Sequence, residues 1–202
     1  MKIATIPAGL LETNCYLVLD EATRTLYVID PGGDAGKIIA AAGKYTFDKC
    51  VVLLTHYHID HVAAAGAVAK ELKVKQVFLR KEDHPYYYSP ENHLLPYVPP
   101  AEDLPEVTDV LPEDCCFTLL ALPGHTQGGG GFYCAAEKVL FAGDTIFDRS
   151  IGRTDFPGGD YDTLINSIRQ EIFSLPDDVK IYPGHGGTTS VGAEWTGNPY
   201  LS

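Results

Sequence analysis

Four apolar runs in this chain end by presenting a histidine or an aspartate. "CVVLLT" (50–55) leads into "HYHIDH", and "FTLLAL" (117–122) into "PGHT". "KVLFAG" (138–143) leads into "DT", and "VKIYPG" (179–184) into "HGGT". Short apolar runs bounded by turn residues predict strands. A side chain just past a strand is held by a rigid sheet, and glycine there lets the backbone turn closely around whatever it holds. The chain is therefore constrained to a fold whose strand ends converge on polar chemistry.

The densest of these sites is "THYHIDH" (55–61), which holds three of the seven histidines. Period-two geometry places His56, His58 and Asp60 on one side of an extended segment, while His61 is one step out of phase and reaches a second point. That spacing suits two adjacent cations. With His125, Asp144 and His185 the set comprises five imidazoles and two carboxylates. Zinc accepts both ligand types, and two cations ~3.5–4 Å apart can share a carboxylate and a hydroxide. A lone histidine is usually a hydrogen-bonded structural group, but the number and spacing of these seven favour metal. His84 and His93 fall in the irregular stretch 84–112, dense in proline and tyrosine, where solvent exposure is expected. That stretch reads as a surface excursion, either a stiffened connection or a wall facing substrate.

At 202 residues and 45% hydrophobic composition the chain can bury one core, and a single domain over 1–202 is expected. No window approaches the ~20 apolar residues of a membrane helix, and the N-terminus lacks a secretion signal, so a soluble, cytoplasmic protein is expected. Five cysteines without C-x-x-C spacing argue for reduced, buried thiols. A net charge of −12 without clustered lysine or arginine argues against nucleic acid.

Further strands are expected at 2–6, 14–20, 25–30, 76–79 and 131–135. Helices are expected at 34–43, from an aspartate cap to a glycine stop, at 62–72 and at 161–174. Hairpins followed by alternating strands and helices suggest an α/β fold of sheets covered by helices.

"THYHIDH" resembles the T-H-x-H-x-D-H signature of the metallo-β-lactamase superfamily, and "PGHT", "GDT" and "PGH" match its later motifs in order. "NCYLVLD…YVIDPGGD" is similar to its N-terminal hairpin. The resemblance implies an αββα sandwich of two mixed β-sheets flanked by helices. It also implies His56, His58 and His125 around one metal, Asp60, His61 and His185 around the other, and Asp144 bridging. The expected cofactors are two divalent cations, zinc first, with iron or manganese as alternatives.

"GDTIFDRSIGRTDFPGGD" and the terminal "GNPYL" resemble the small glyoxalase II-like proteins, the hydroxyacylglutathione hydrolases. Antibiotic hydrolysis is not expected, because true β-lactamases of this fold commonly carry a cysteine where Asp144 stands and are exported. The implied reaction is hydrolysis of a small acyl-thiol substrate such as S-lactoylglutathione. A hydroxide bridging the metals attacks the carbonyl, and Asp60 orients it. No G-x-S-x-G elbow offers a serine nucleophile. Arg149, Arg153, Tyr57 and Tyr182 are candidate substrate contacts, although Arg153 and Asp155 equally suit an ion pair that fixes their loop, and filling the core is the commoner fate of an aromatic residue placed like Tyr57. The rivals are an iron persulfide dioxygenase, a sister branch that shares "GRTDF", and a non-catalytic metal-binding protein.

Overall fold

The computed structural model describes residues 1–201, and they fall into two compact units, one over Met1–Cys115 and one from Cys116 onward. The first unit is built on a five-stranded sheet in the order β1-β2-β3-β4-β5. Its strands are β1 (Lys2–Ala8), β2 (Thr13–Asp20), β3 (Thr25–Ile29), β4 (Lys49–Leu53) and β5 (Gln76–Phe78). β1, β2 and β3 pair antiparallel, whereas β3, β4 and β5 run parallel, so the sheet is mixed. β2, β3 and β4 are buried almost throughout, which is why they read as continuous apolar runs, while the edge strand β1 is only partly covered.

The crossover from β3 to β4 carries α1 (Ala35–Ala42), and that from β4 to β5 carries α2 (Ile59–Val62) and α3 (Ala65–Glu71). Ile38 and Ala42 are the buried face of α1. A fully buried isoleucine contributes roughly 1.5–3 kcal/mol, enough to hold so short a helix that would not form alone. The expected aspartate cap is not made. Asp34 precedes α1 in the left-handed region (φ 46°), and its carboxylate accepts from Gly9 N at 3.1 Å instead of capping the helix. Gly43 ends the helix in right-handed geometry, so it is no left-handed stop.

The stretch from His84 onward is less of an excursion than its proline content suggests. It opens with the single turn α4 (His84–Tyr87), and Tyr87 is fully buried. Leu94, Val98, Leu104 and Val107 pack against the core, and Thr108 bridges to Phe78. His84 and His93 are half-buried, contrary to the expected exposure, and a ring nitrogen of His84 lies 2.8 Å from Leu79 O.

The second unit holds a five-stranded mixed sheet in the order β12-β11-β8-β7-β6. Its strands are β6 (Thr118–Ala121), β7 (Gly130–Cys134), β8 (Val139–Gly143), β11 (Lys180–Pro183) and β12 (Thr189–Ser190). Only β8 and β11 are parallel. A small hairpin of β9 (Ile146–Phe147) and β10 (Ser150–Ile151) follows β8 directly. α5 (Tyr161–Ser167) continues into a π-helical turn over Ile168–Ile172, and α6 (Val191–Gly197) follows β12. Leu164, Ile168 and Ile172 seal this core with Leu140, Ala142 and Ile181. The nine strands expected from the sequence are all present, with ends shifted by a residue or two. The short β9, β10 and β12, and α2, α4 and α6, were not expected. Among the described residues no helix is long and apolar enough to cross a membrane.

One glycine fixes the first unit's geometry. A Cβ on Gly32, in the turn after β3, would lie 1.6 Å from the carbonyl oxygen of Asp60 in α2. Two backbones meet there. Gly32→Ala should therefore lower the unfolding free energy by about 3 kcal/mol or more. Urea denaturation reads this, and an unchanged midpoint would mean that the turn and α2 do not touch.

Candidate metal centre

In the first unit the polar residues gather at the carboxyl ends of adjacent parallel strands, where open α/β sheets bind ligands. Asp30 follows β3, and Thr55 and His56 follow β4. Strand β4 ends at Leu53, the chain bends at Thr55 and His56, and after His58 (φ −55°, ψ 141°) it turns into α2. Asp60 and His61 thus stand on a helical turn. This corrects the expected period-two alternation, because the apolar Ile59 and Val62 are buried as a helix buries them.

Asp30, which the metal-motif reading does not single out, organises this loop. Its Oδ1 accepts from Thr55 N at 2.8 Å, and its Oδ2 accepts from Thr55 Oγ1 at 2.6 Å. The same Oδ2 lies 2.9 Å from His61 Nδ1. A carboxylate can only accept, so His61 carries its proton on Nδ1. Thr55 has a single hydroxyl proton and gives it to Asp30. Its oxygen, 3.0 Å from His56 Nδ1, must then accept from that ring. Both imidazoles are locked in the tautomer that turns a lone pair outward at Nε2, the form a metal requires.

The atoms of Asp30, His56 and His61 lie within 4.8 Å of one another, close enough to suggest a metal site by themselves. The hydrogen bonds argue otherwise, since they occupy the ring nitrogens that face Asp30 and leave the Nε2 side for coordination. His56 and His58 lie edge to face at 4.8 Å, and His56 and His61 are 4.1 Å apart between ring centroids. Asp60 Oδ2 is 3.6 Å from His61 Nε2 and accepts from Thr13 Oγ1 at 3.1 Å.

The peptide of Tyr57, between two of the histidines, is held at both ends. Asp83, fully buried, accepts from Tyr57 N at 3.1 Å, and Asn92 Nδ2 donates to Tyr57 O at 2.8 Å. The Tyr57 ring stacks on Tyr86 at 5.0 Å within the core. Burial, then the nearby Asp83 and Tyr86, push its hydroxyl up to about 12.

The second unit repeats the placement. Asp144 follows β8 and His185 follows the parallel β11 after one glycine, while His125 follows β6. Asp144 Oδ2 lies 3.6 Å from His185 Nε2 and 3.7 Å from His125 Nε2. These gaps are too long for hydrogen bonds. Two ligands bound at ~2.0–2.1 Å to a tetrahedral cation sit roughly 3.3–3.4 Å apart, so one carboxylate oxygen near two imidazoles has the spacing of a metal ligand. His125 Nδ1 donates to the carbonyl of Arg153 at 2.7 Å, which again turns Nε2 outward. The donor set and its tautomers fit borderline divalent cations.

The candidate substrate residues have structural partners. Arg149 donates through Nη1 to Gly197 O at 3.0 Å, at the end of α6. Arg153 pairs with Asp155 through two hydrogen bonds of 2.9 and 2.8 Å, on an exposed face. Tyr182 stacks on Phe141 at 5.0 Å.

A metallo-beta-lactamase superfamily model matches residues 8–185. The chain belongs to that superfamily, its fold is the αββα sandwich of two mixed sheets flanked by helices, and it is a metal-dependent enzyme of that class. Among curated proteins it is similar to the hydroxyacylglutathione hydrolase GloC of Haemophilus influenzae, with 37% identity covering 100% of this chain and 99% of that one. Among solved structures it is similar to the BLEG-1 B3 metallo-beta-lactamase, with TM-score 0.89, 31% identity and all of both chains covered. It also matches TTHA1623 in a di-iron-bound form, with TM-score 0.85, 34% identity and all of both chains covered.

Two predictions follow from these contacts. Asp30→Asn replaces a pure acceptor with a group that can turn a donor toward Thr55 and His61, so divalent-metal affinity should fall about 10–100-fold. Competition against a chelating dye measures it, and unchanged affinity would remove Asp30 from the metal's support. Separately, Arg153 holds the Asp155 carboxyl down at about 2, below its ordinary 3.8. The stability from that depressed value is complete above pH 3.8 and is lost as pH falls through 2. Asp155→Asn should therefore be less stable than the parent at pH 5 and converge with it near pH 2, as read by thermal melts across that window.

Proposed function

We propose that the protein is a binuclear metallohydrolase that cleaves a small thioester such as S-lactoylglutathione. In this reading His56, His58 and His125 hold one cation, Asp60, His61 and His185 hold the other, and Asp144 serves both. The observation that carries it is the set of imidazoles His56, His61 and His125, in loops and a helical turn beyond the strands, whose Nδ1 atoms are engaged by Thr55, Asp30 and the Arg153 carbonyl so that Nε2 faces the other way. The full-length likeness to a protein named hydroxyacylglutathione hydrolase supports the substrate class.

When bound, two such cations supply a hydroxide nucleophile near neutral pH and positive charge for the developing oxyanion. The chain's own residues bind and orient. Asp60, whose carboxylate accepts from Thr13 Oγ1, would hold one cation and is placed to orient the nucleophile that the cations would supply. The chain's thiols do not compete for this role where they are sealed away. Burial pushes the Cys50 thiol up to about 12 and the Cys15 thiol well above its ordinary value, so neither is a thiolate at neutral pH. A thiolate leaving group needs little protonation, so the reaction does not depend on a dedicated acid.

A second reading is β-lactam hydrolysis, favoured by the 0.89 TM-score to a structure titled as a B3 metallo-beta-lactamase. The deciding experiment pairs elemental analysis of protein purified without added metal with turnover assays on S-lactoylglutathione and a cephalosporin. About two equivalents of metal and thioester turnover, both reduced in His58→Ala and Asp144→Ala, are expected. Cephalosporin turnover alone would support the second reading. A single iron with oxygen uptake on glutathione persulfide would make the protein a dioxygenase, and full metal content without turnover of any of these would make it a binding protein.

A further inference from the structure

The C-terminal helix α6 makes contacts that the proposed chemistry does not use. Glu194 is fully buried there, and its carboxylate accepts three hydrogen bonds. They come from Arg149 N at 3.1 Å, Asn198 Nδ2 at 2.7 Å and Thr189 Oγ1 at 2.5 Å. Asn198, also buried, donates from the same Nδ2 to Ser150 O at 3.0 Å. The pair therefore grips two consecutive residues of the β9–β10 hairpin, one by its N–H and the next by its carbonyl. Arg149 is held in the left-handed region (φ 55°), a conformation that a non-glycine residue keeps only when its surroundings impose it.

The gripped hairpin runs directly under two proposed ligands. Gly152 N donates to Thr145 O at 3.3 Å, beside Asp144. A Cβ on Gly152 would lie 1.8 Å from the Asp144 carbonyl oxygen and 3.2 Å from His125 Nδ1. The next residue, Arg153, supplies the carbonyl that takes the His125 proton. Asn198 and His125 are thus linked by one hydrogen bond to Ser150 O and one to Arg153 O, with the backbone of residues 150–153 between them and one glycine-only contact beside it.

We propose that Glu194 and Asn198 are positioning residues for the metal centre, which act through residues 149–153 to set the tautomer and placement of His125 against Asp144. The inference rests on the reading of His125 and Asp144 as ligands, and is independent of the thioester substrate. A carboxylate that accepts three donors and an amide that bridges it to a carbonyl cannot be exchanged without leaving a buried group unpaired. The consequence reaches the metal because an imidazole whose Nδ1 loses its acceptor is free to move its proton to Nε2, where it blocks coordination.

The test uses the full chain in three variants. Asn198→Ala and Asn198→Asp remove the donor to Ser150, and Thr189→Val removes a hydrogen bond on the side of Glu194 away from the hairpin. Zinc affinity is measured by dye competition, and the His125 tautomer of the metal-free protein by imidazole nitrogen NMR. Both Asn198 variants should weaken the weaker-bound zinc equivalent about tenfold and show an Nε2–H population at His125, while Thr189→Val retains parental values. Folded Asn198 variants with parental zinc affinity and tautomer would overturn the proposal. So would variants that lose zinc only because circular dichroism shows them unfolded. Absence of zinc binding by the parent would instead overturn the ligand reading, and thioester inactivity with the expected zinc and NMR shifts would overturn only the substrate.

Discussion

The carboxylate of Asp30 is the interaction on which the first unit's chemistry depends. It receives three hydrogen bonds at 2.6–2.9 Å in a buried setting and through them specifies two imidazole tautomers, one directly and one through the Thr55 hydroxyl. Charge-assisted bonds of this length are among the stronger ones a protein makes. Their geometry depends in turn on the turn after β3, where Gly32 lets the backbone reach α2. Moving that turn would take the acceptor at once from the His61 ring and from the Thr55 hydroxyl that orients His56.

Each unit solves the same problem in the same way. Ligand-bearing loops lack the repeating hydrogen bonds of helix and sheet, so their backbone groups must be satisfied otherwise. In the first unit Asp83 and Asn92 take the N–H and carbonyl of Tyr57. In the second, Glu194 and Asn198 take the N–H of Arg149 and the carbonyl of Ser150. A buried acid and a buried amide form the clamp in both, and each belongs to a segment outside the metal motifs.

The seven ligand candidates were legible because they are side chains at the ends of strong apolar runs. Asp30 obeys the same rule, since "TLYVID" ends in it, and strand-end logic extended to that run would have marked it. Asp60 and His61 were found but placed on extended chain, because four residues of helix are too few to show a period. The support around them was not legible. The acceptor for His125 is a main-chain carbonyl, which any residue at 153 could supply, and the partners of Tyr57 and Arg149 lie 26 to 48 positions away. His84 and His93 were misjudged because proline density says where regular structure stops and not whether the chain leaves the core.

The clamp on Tyr57 divides the proline-rich stretch into two regimes of inheritance. Up to Asn92 the chain is bound to the ligand loop and must keep its length, since an inserted residue would carry the amide out of reach of the carbonyl it holds. Beyond it, Leu95 and Tyr97 stand largely in solvent. Descendants of this sequence are free to recompose those exposed positions between the core-packed Leu94 and Val98, while the histidines behind the clamp keep their places.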